Sequence, residues 1–232
     1  MIHLKTLALI LCTLTLNSIS MCSQNSRTRP TPLEAFNALK QGNRAHLGLS
    51  QTCMTLTPQA RIRLENSQHP FAIVVTCSDS RVPAELIFNT QLGEIFVVRT
   101  AGHVLEPSAI GTVEYGVAVL DSSMILVLGH TRCGAVESTL SSLKTGIRAP
   151  DKIEAVIQQI IPAVSHNFEQ LSVDQAIWAN VRHWVEVLEQ QPLLRSAISQ
   201  GRIIIKGAVY NHVTGEVLFE EPITPSKNGQ KK

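Results

Sequence analysis

Aromatic residues are scarce in this 232-residue chain: Phe, Trp and Tyr together make up 4% of it. A core has therefore to be assembled from Val, Ile, Leu and Ala. Charge is sparse as well, at 16% charged residues and a net charge of +2. That is too little to attract nucleic acid, and no basic patch is interleaved with aromatics. There are five cysteines, none of them in a CxxC pair. The chain thus lacks both the dense framework of a disulfide-stapled domain and a dithiol redox motif. No apolar run reaches the ~20 residues of a membrane-spanning helix. No internal repeat and no domain-splitting linker interrupts the sequence. What is present is a chain 44% hydrophobic, of a size that suits one globular domain with a substantial core, plus tails.

The first residues speak of location. Residues 1–5 form a short start carrying His3 and Lys5, residues 6–16 are an apolar run (TLALILCTLTL), and Ser18 and Ser20 follow. This is the order of a secretory signal: charged start, short apolar stretch, small residues at the cleavage site. Residues 1–20 are expected to be a signal peptide, which places the mature chain in the periplasm or outside the cell, with no membrane span of its own. The alternative is a lipid anchor on Cys22, but Met21 fits poorly just before a lipid-modified cysteine. Residues 21–30 read as a disordered linker, 31–220 as the folded domain and 221–232 as a flexible tail. Cys12 falls in the signal and Cys53 reads as a spare thiol. In an oxidising compartment, thiolates need a reason to persist, and metal ligation is one.

Thr31, Pro32 and Glu34 have the pattern of a helix start with a capping box, and Thr57-Pro58 begins a second helix. These two precede the core as an N-terminal helical arm. From residue 71 the pattern changes to continuous apolar, β-branched runs: 71–76 (FAIVVT), 95–99 (IFVVR), 124–129 (MILVLG) and 202–206 (RIIIK). Such runs read as strands covered on both faces, hence parallel. Residues 217–219 add a short strand after a turn at Thr214-Gly215. Between and after the strands, apolar residues recur at helical spacing: Ile110, Val113, Val117 and Leu120; Ile153 to Val164; Ile177, Val181, Trp184 and Leu188. The fold expected is α/β, a mostly parallel central sheet of four to five strands flanked by helices, with right-handed crossovers.

In open α/β sheets, ligands bind beyond the carboxyl ends of the strands. Two of the expected strands end in residues that hold metals. The first runs into Cys77-Ser78-Asp79-Ser80-Arg81, the third into His130-Thr131-Arg132-Cys133. If the two strands are neighbours, both clusters meet at one point. Two thiolates and an imidazole suit Zn²⁺, and catalytic zinc usually has three protein ligands and a fourth position for water. Cys77, His130 and Cys133 are the expected ligands. Asp79 is placed either to be a fourth ligand or to accept a hydrogen bond from zinc-bound hydroxide, with Arg81 gripping it through a forked pair. His69, His103, His166, His183 and His212 read as surface residues or as supports behind the ligands.

At these residues the chain resembles the β-class carbonic anhydrases. CSDSRVP (77–83) and GHTRCGAV (129–136) resemble that family's two zinc motifs, and GEIFVVRTAG (93–102) resembles the stretch between them. The resemblance covers roughly residues 32–219. It implies one zinc per subunit on Cys77, His130 and Cys133, beside an Asp79–Arg81 dyad, and reversible hydration of CO₂ to bicarbonate by zinc-bound hydroxide. It puts Gln68 at the position of a substrate-binding glutamine that acts across a dimer interface. It implies a homodimer or a tetramer of two dimers, the N-terminal helices wrapping the partner. Gly102 is expected to let backbone approach the site. Family members occur in an open form and in a closed form with the aspartate on zinc. Arg99 and Tyr210 match two residues of the bicarbonate pocket linked to closure, but Val74 stands where that pocket has Trp, so the open form is expected. Hydrolysis of CS₂ or COS on the same scaffold is a second reading, and a zinc or bicarbonate sensor a third. Retention of Asp79, Arg81 and Gln68 speaks against the sensor.

Overall fold

A computed structural model describes residues 29–48 and 57–220. The expected signal peptide, most of the 21–30 linker, the 221–232 tail, and Cys12, Cys22 and Cys53 lie outside the described residues. The chain order is α1 (Pro32–Leu47), α2 (Pro58–Leu64), β1 (Ala72–Cys77), α3 (Ala84–Ile87), β2 (Ile95–Thr100), α4 (Pro107–Ala118), β3 (Met124–His130), α5 (Gly134–Thr145), α6 (Ile153–Val164), α7 (Val173–Gln190), α8 (Pro192–Ser199), β4 (Ile204–Tyr210) and β5 (Val217–Phe219).

The five strands form one sheet in the order β2-β1-β3-β4-β5. The first four are parallel and β5 joins antiparallel to β4. Every residue of β1 and β3 is buried, as continuous apolar runs require of a sheet covered on both faces. Side chains alternate between the faces with period two. Ile73, Val75, Ile125, Val127 and Ile205 pack with the helices α4 to α8. Ala72, Val74, Met124, Leu126 and Leu128 face α1 and α3.

The N-terminal arm is helical, and its first helix docks on the chain's own sheet. α1 starts at a capping box between Thr31 and Glu34. Its Ala35 and Leu39 are fully buried. Asn43 clamps the far end. Its amide donates to the carbonyls of Ile87 (3.2 Å) and Gly215 (3.0 Å), and its oxygen accepts the N–H of Val217 (2.9 Å). By contrast, α2 buries no residue.

The apolar run at 202–206 does not mark the whole of β4, which begins at Ile204 and continues to Tyr210. Gly207 looks like a strand terminator in the sequence, but here it is a point of close approach. A Cβ at Gly207 would sit 2.7 Å from Val181 Cγ1 of α7, so the bare backbone lets α7 lie directly on the strand. The chain passes from β1 to its neighbour on one side, β2, and then to its neighbour on the other, β3. The crevice of such an open sheet lies where the connections diverge, beyond the carboxyl ends of β1 and β3.

Candidate metal centre

Cys77 is the last residue of β1 and His130 the last of β3, and the two strands are hydrogen-bonded neighbours in register. Cys133 follows three residues on, at the N-cap position of α5. The adjacency expected of the two strands thus brings Cys77, His130 and Cys133 together. Their ligand atoms all lie within 4.8 Å of one another, and all three residues are buried. The two cysteines are free thiols with no disulfide between them.

The electrostatics of the pair follow from that closeness. A hydrogen bond from Cys133, chiefly, holds the Cys77 thiol far below its usual range. The same contact, together with burial, pushes Cys133 up. In the free protein the two sulfurs therefore share one proton and one negative charge. Burial pushes the His130 imidazole down, but Cys77, the Thr131 carbonyl and Asp79 together outweigh it and leave it raised. A divalent cation changes the balance, because a coordinating thiol gives up its proton outright.

Do these residues fit zinc? His130 Nε2 is fully buried and has no hydrogen-bond partner, an expense a folded chain avoids unless something else occupies the lone pair. Its other nitrogen, Nδ1, lies 3.0 Å from the Thr131 carbonyl oxygen and 3.0 Å from His212 Nε2. That is the arrangement of a metal-binding imidazole, with one nitrogen toward the metal and the other anchored behind. Two thiolate sulfurs and one imidazole nitrogen form a donor set that zinc takes up tetrahedrally, with a fourth position left open.

Asp79 and Arg81 stand at the rim. Arg81 donates from Nε to Asp79 Oδ1 (2.9 Å) and from Nη2 to Oδ2 (2.7 Å), the forked pair expected from the sequence, and its backbone N–H adds a third bond to Oδ1 (2.9 Å). These contacts, the side-chain hydrogen bond first, hold the Asp79 carboxyl well below the usual carboxylate range. Asp79 Oδ2 lies 4.0 Å from His130 Nε2, so the carboxylate faces the Cys77–His130–Cys133 cluster from its rim, and with His130 and His212 it forms a second group of ligand atoms within 4.8 Å of one another. Arg99, from β2, braces the loop that carries both residues. It donates to the carbonyl oxygens of Cys77 (3.2 Å) and Asp79 (2.7 Å).

Gly102 sits in the single turn that follows β2. It adopts φ +62, where a side chain is strained, and its N–H donates to Cys77 Sγ at 3.3 Å. The backbone here approaches the sulfur of Cys77. The turn ends at His103 and is held by Asn180 behind it. Asn180 of α7 donates to the Gly102 carbonyl (3.0 Å) and lies 3.0 Å from His103 Nε2. His103 is fully buried, so of its two readings, surface residue or support behind the ligands, the first does not hold, and burial pushes its pKa down to about 4. The clue to Asn180 was its place on the apolar face of α7, between Ile177 and Val181, where a polar residue needs a reason.

Gln68 is not brought to this point within one chain. It is an exposed residue of the segment before β1, in a cleft shared with Arg61, Leu64, Gly93 and Ile95. That is the amino-terminal edge of the sheet, opposite to the end at which Cys77 and His130 stand.

A family model described as carbonic anhydrase matches residues 72–217. A carbonic anhydrase of Mycolicibacterium smegmatis is 34% identical over 190 residues, covering 80% of this chain and 92% of that protein. Among solved structures, a Coccomyxa β-carbonic anhydrase in complex with acetazolamide superposes with a TM-score of 0.63 at 26% identity, over 76% of this chain and 83% of that one. A tetrameric β-carbonic anhydrase of Sordaria macrospora superposes with a TM-score of 0.63 at 23% identity, over 79% of this chain and 95% of that one. With two cysteines and a histidine gathered where β1 and β3 end, on a sheet shared with those structures, the chain belongs to the β-carbonic anhydrases, lyases that hydrate carbon dioxide.

Proposed function

We propose that this chain holds one zinc ion through Cys77 Sγ, His130 Nε2 and Cys133 Sγ, and that Asp79, Arg81, Gly102 and a partner's glutamine serve the hydration reaction around it. The observation that carries the reading is the convergence of three buried ligand atoms within 4.8 Å, one of them a histidine nitrogen without a hydrogen-bond partner. When bound, zinc lowers the pKa of its water from ~15.7 toward ~7 and so makes a hydroxide nucleophile available near neutral pH.

The protein's own residues do the rest. Asp79 stays ionised because Arg81 occupies it, and an ionised carboxylate only accepts hydrogen bonds. It would therefore accept a hydrogen bond from the O–H of the attacking hydroxide and so orient a lone pair of that oxygen toward the carbon of CO₂. Arg81 grips both carboxylate oxygens and so keeps Asp79 from swinging inward as a fourth ligand, which favours the open form. Gly102 N–H shares the charge of the Cys77 sulfur. Gln68 of a partner subunit donates a hydrogen bond to a substrate oxygen, an assignment that requires a homodimer or a tetramer of dimers.

Zinc content and stopped-flow CO₂ hydration test the set together. The wild type is expected to carry one zinc per subunit and to hydrate CO₂. Cys133→Ser is expected to lose both metal and activity. Asp79→Asn is expected to keep zinc and lose about 10²-fold or more in turnover. A zinc-replete, active Cys133→Ser protein overturns the ligand set, and unchanged turnover in Asp79→Asn removes Asp79 from the mechanism.

A further inference from the structure

The reaction as described leaves His212 without a task, although it stands against a ligand. It follows β4, whose register sets Tyr210 beside His130. His212 Nε2 lies 3.0 Å from His130 Nδ1, with the ring centroids 4.9 Å apart and the planes at 56°. Its own ring is fixed from several sides. The backbone N–H of His212 donates to Thr131 Oγ1 at 3.2 Å. Tyr210 meets the imidazole edge-on, centroids 5.4 Å apart at 90°. Asn211 Oδ1 closes the turn by accepting the N–H groups of Val213 (2.8 Å) and Thr214 (3.2 Å). The N–H of Thr131 donates back to the Tyr210 carbonyl at 2.9 Å. The loop that leaves β3 and the loop that leaves β4 are thus stitched together around the two histidine rings.

We propose that His212 is a positioning residue for the metal ligand His130: its Nε2 accepts the Nδ1–H of His130 and so holds the ring with Nε2 turned toward Cys77 and Cys133. The proposal rests on the reading of His130 as a zinc ligand through Nε2. Metal-binding histidines donate their remaining N–H to an anchor, and loss of that anchor weakens the site. Here the N–H has two acceptors at 3.0 Å. The Thr131 carbonyl belongs to the next residue in the chain and moves with His130. His212 is carried by another strand, so its bond ties the ring to the sheet.

The test compares His212→Phe, which keeps a ring and loses the acceptor, with His212→Gln, which keeps an acceptor oxygen, and with His130→Ala as the control. Three quantities are measured: zinc affinity by competition with a chelator, the visible spectrum after cobalt substitution, and the melting temperature of the metal-free protein. His212→Phe is expected to bind zinc about 10- to 100-fold more weakly and to shift the cobalt bands, with metal-free melting unchanged. His212→Gln is expected to recover most of the affinity and the native spectrum. The proposal is overturned if His212→Phe binds zinc as tightly as the wild type, or if His212→Gln is as impaired as His212→Phe, since packing alone would then explain the effect. Wild-type zinc affinity in His130→Ala would instead sink the reading of His130 as a ligand.

Discussion

At the scale of single residues, the centre keeps its negative groups apart and its buried histidine behind them neutral. Asp79 is paired outward with Arg81, the Cys77–Cys133 pair keeps a negative charge inside, and His103 behind them stays neutral because it is wholly buried. His103 makes a sharp test of this arrangement. Its pKa falls from 6.5 to about 4 on folding, with burial the main cause. Above about pH 6.5 the folded and unfolded chains both carry it neutral. Between about 6.5 and about 4 only the unfolded chain takes up a proton, so stability falls as pH falls; lower still, both forms are protonated and the slope ends. In the metal-free protein this amounts to about 3 kcal/mol lost across that window. Urea titrations at pH 7 and pH 4 should show His103→Gln losing about that much less than the wild type. An identical loss in both proteins would mean that His103 is hydrated or charged in the folded state.

At the scale of elements, the turn between β2 and α4 links the core to the metal position. Gly102 points its N–H at Cys77, while α7 grips the same turn through Asn180. A Cβ on Gly102 would stand 2.9 Å from both Ala135 Cβ and Ile160 Cδ1, and φ +62 adds the cost of a left-handed backbone. Gly102→Ala is therefore expected to cost about 2–3 kcal/mol in urea denaturation and to weaken zinc binding, since the turn has to move away from the sulfur. A fully stable, fully metallated variant would show that the turn has slack. The elements themselves were unevenly legible in the sequence. β1 and β3 are marked by continuous apolar runs too short for a helix, and α6 and α7 by long apolar stripes. α5 was not legible, because its segment buries only Val136, Thr139 and Leu140 among serines. α8 has only eight residues and buries two of them, too few for a helical period to show. In the site, Cys77, His130, Cys133 and the Asp79–Arg81 pair were legible because strand ends and short motifs carry them. Asn180 was not, and for His103 and His212 the sequence left open whether they lie at the surface or behind the ligands, because their partners are distant in sequence and only the packing of α7 and the stitching of two loops bring them in.

At the scale of the whole molecule, the position of Gln68 decides how many chains make one site. The metal-type residues gather at the carboxyl ends of β1 and β3, and Gln68 precedes β1 at the opposite edge of the sheet. A single chain cannot bring both ends of its own buried strand to one substrate. If Gln68 serves catalysis, it serves a neighbour, and in a two-fold dimer the relation is reciprocal: each chain completes the other's site. This makes two inactive variants complementary. A mixed dimer of Gln68→Ala and Asp79→Asn chains contains one site with an intact Asp79 from the first chain and an intact Gln68 from the second, and one site lacking both. Each variant alone is expected to hydrate CO₂ poorly. Co-expressed with different affinity tags and purified through both, the mixed dimer is expected to regain activity well above either parent. Were Gln68 to act within its own chain, every site in the mixed dimer would lack one residue and no activity would return, so a silent mixed dimer with normal zinc content rules out a shared site.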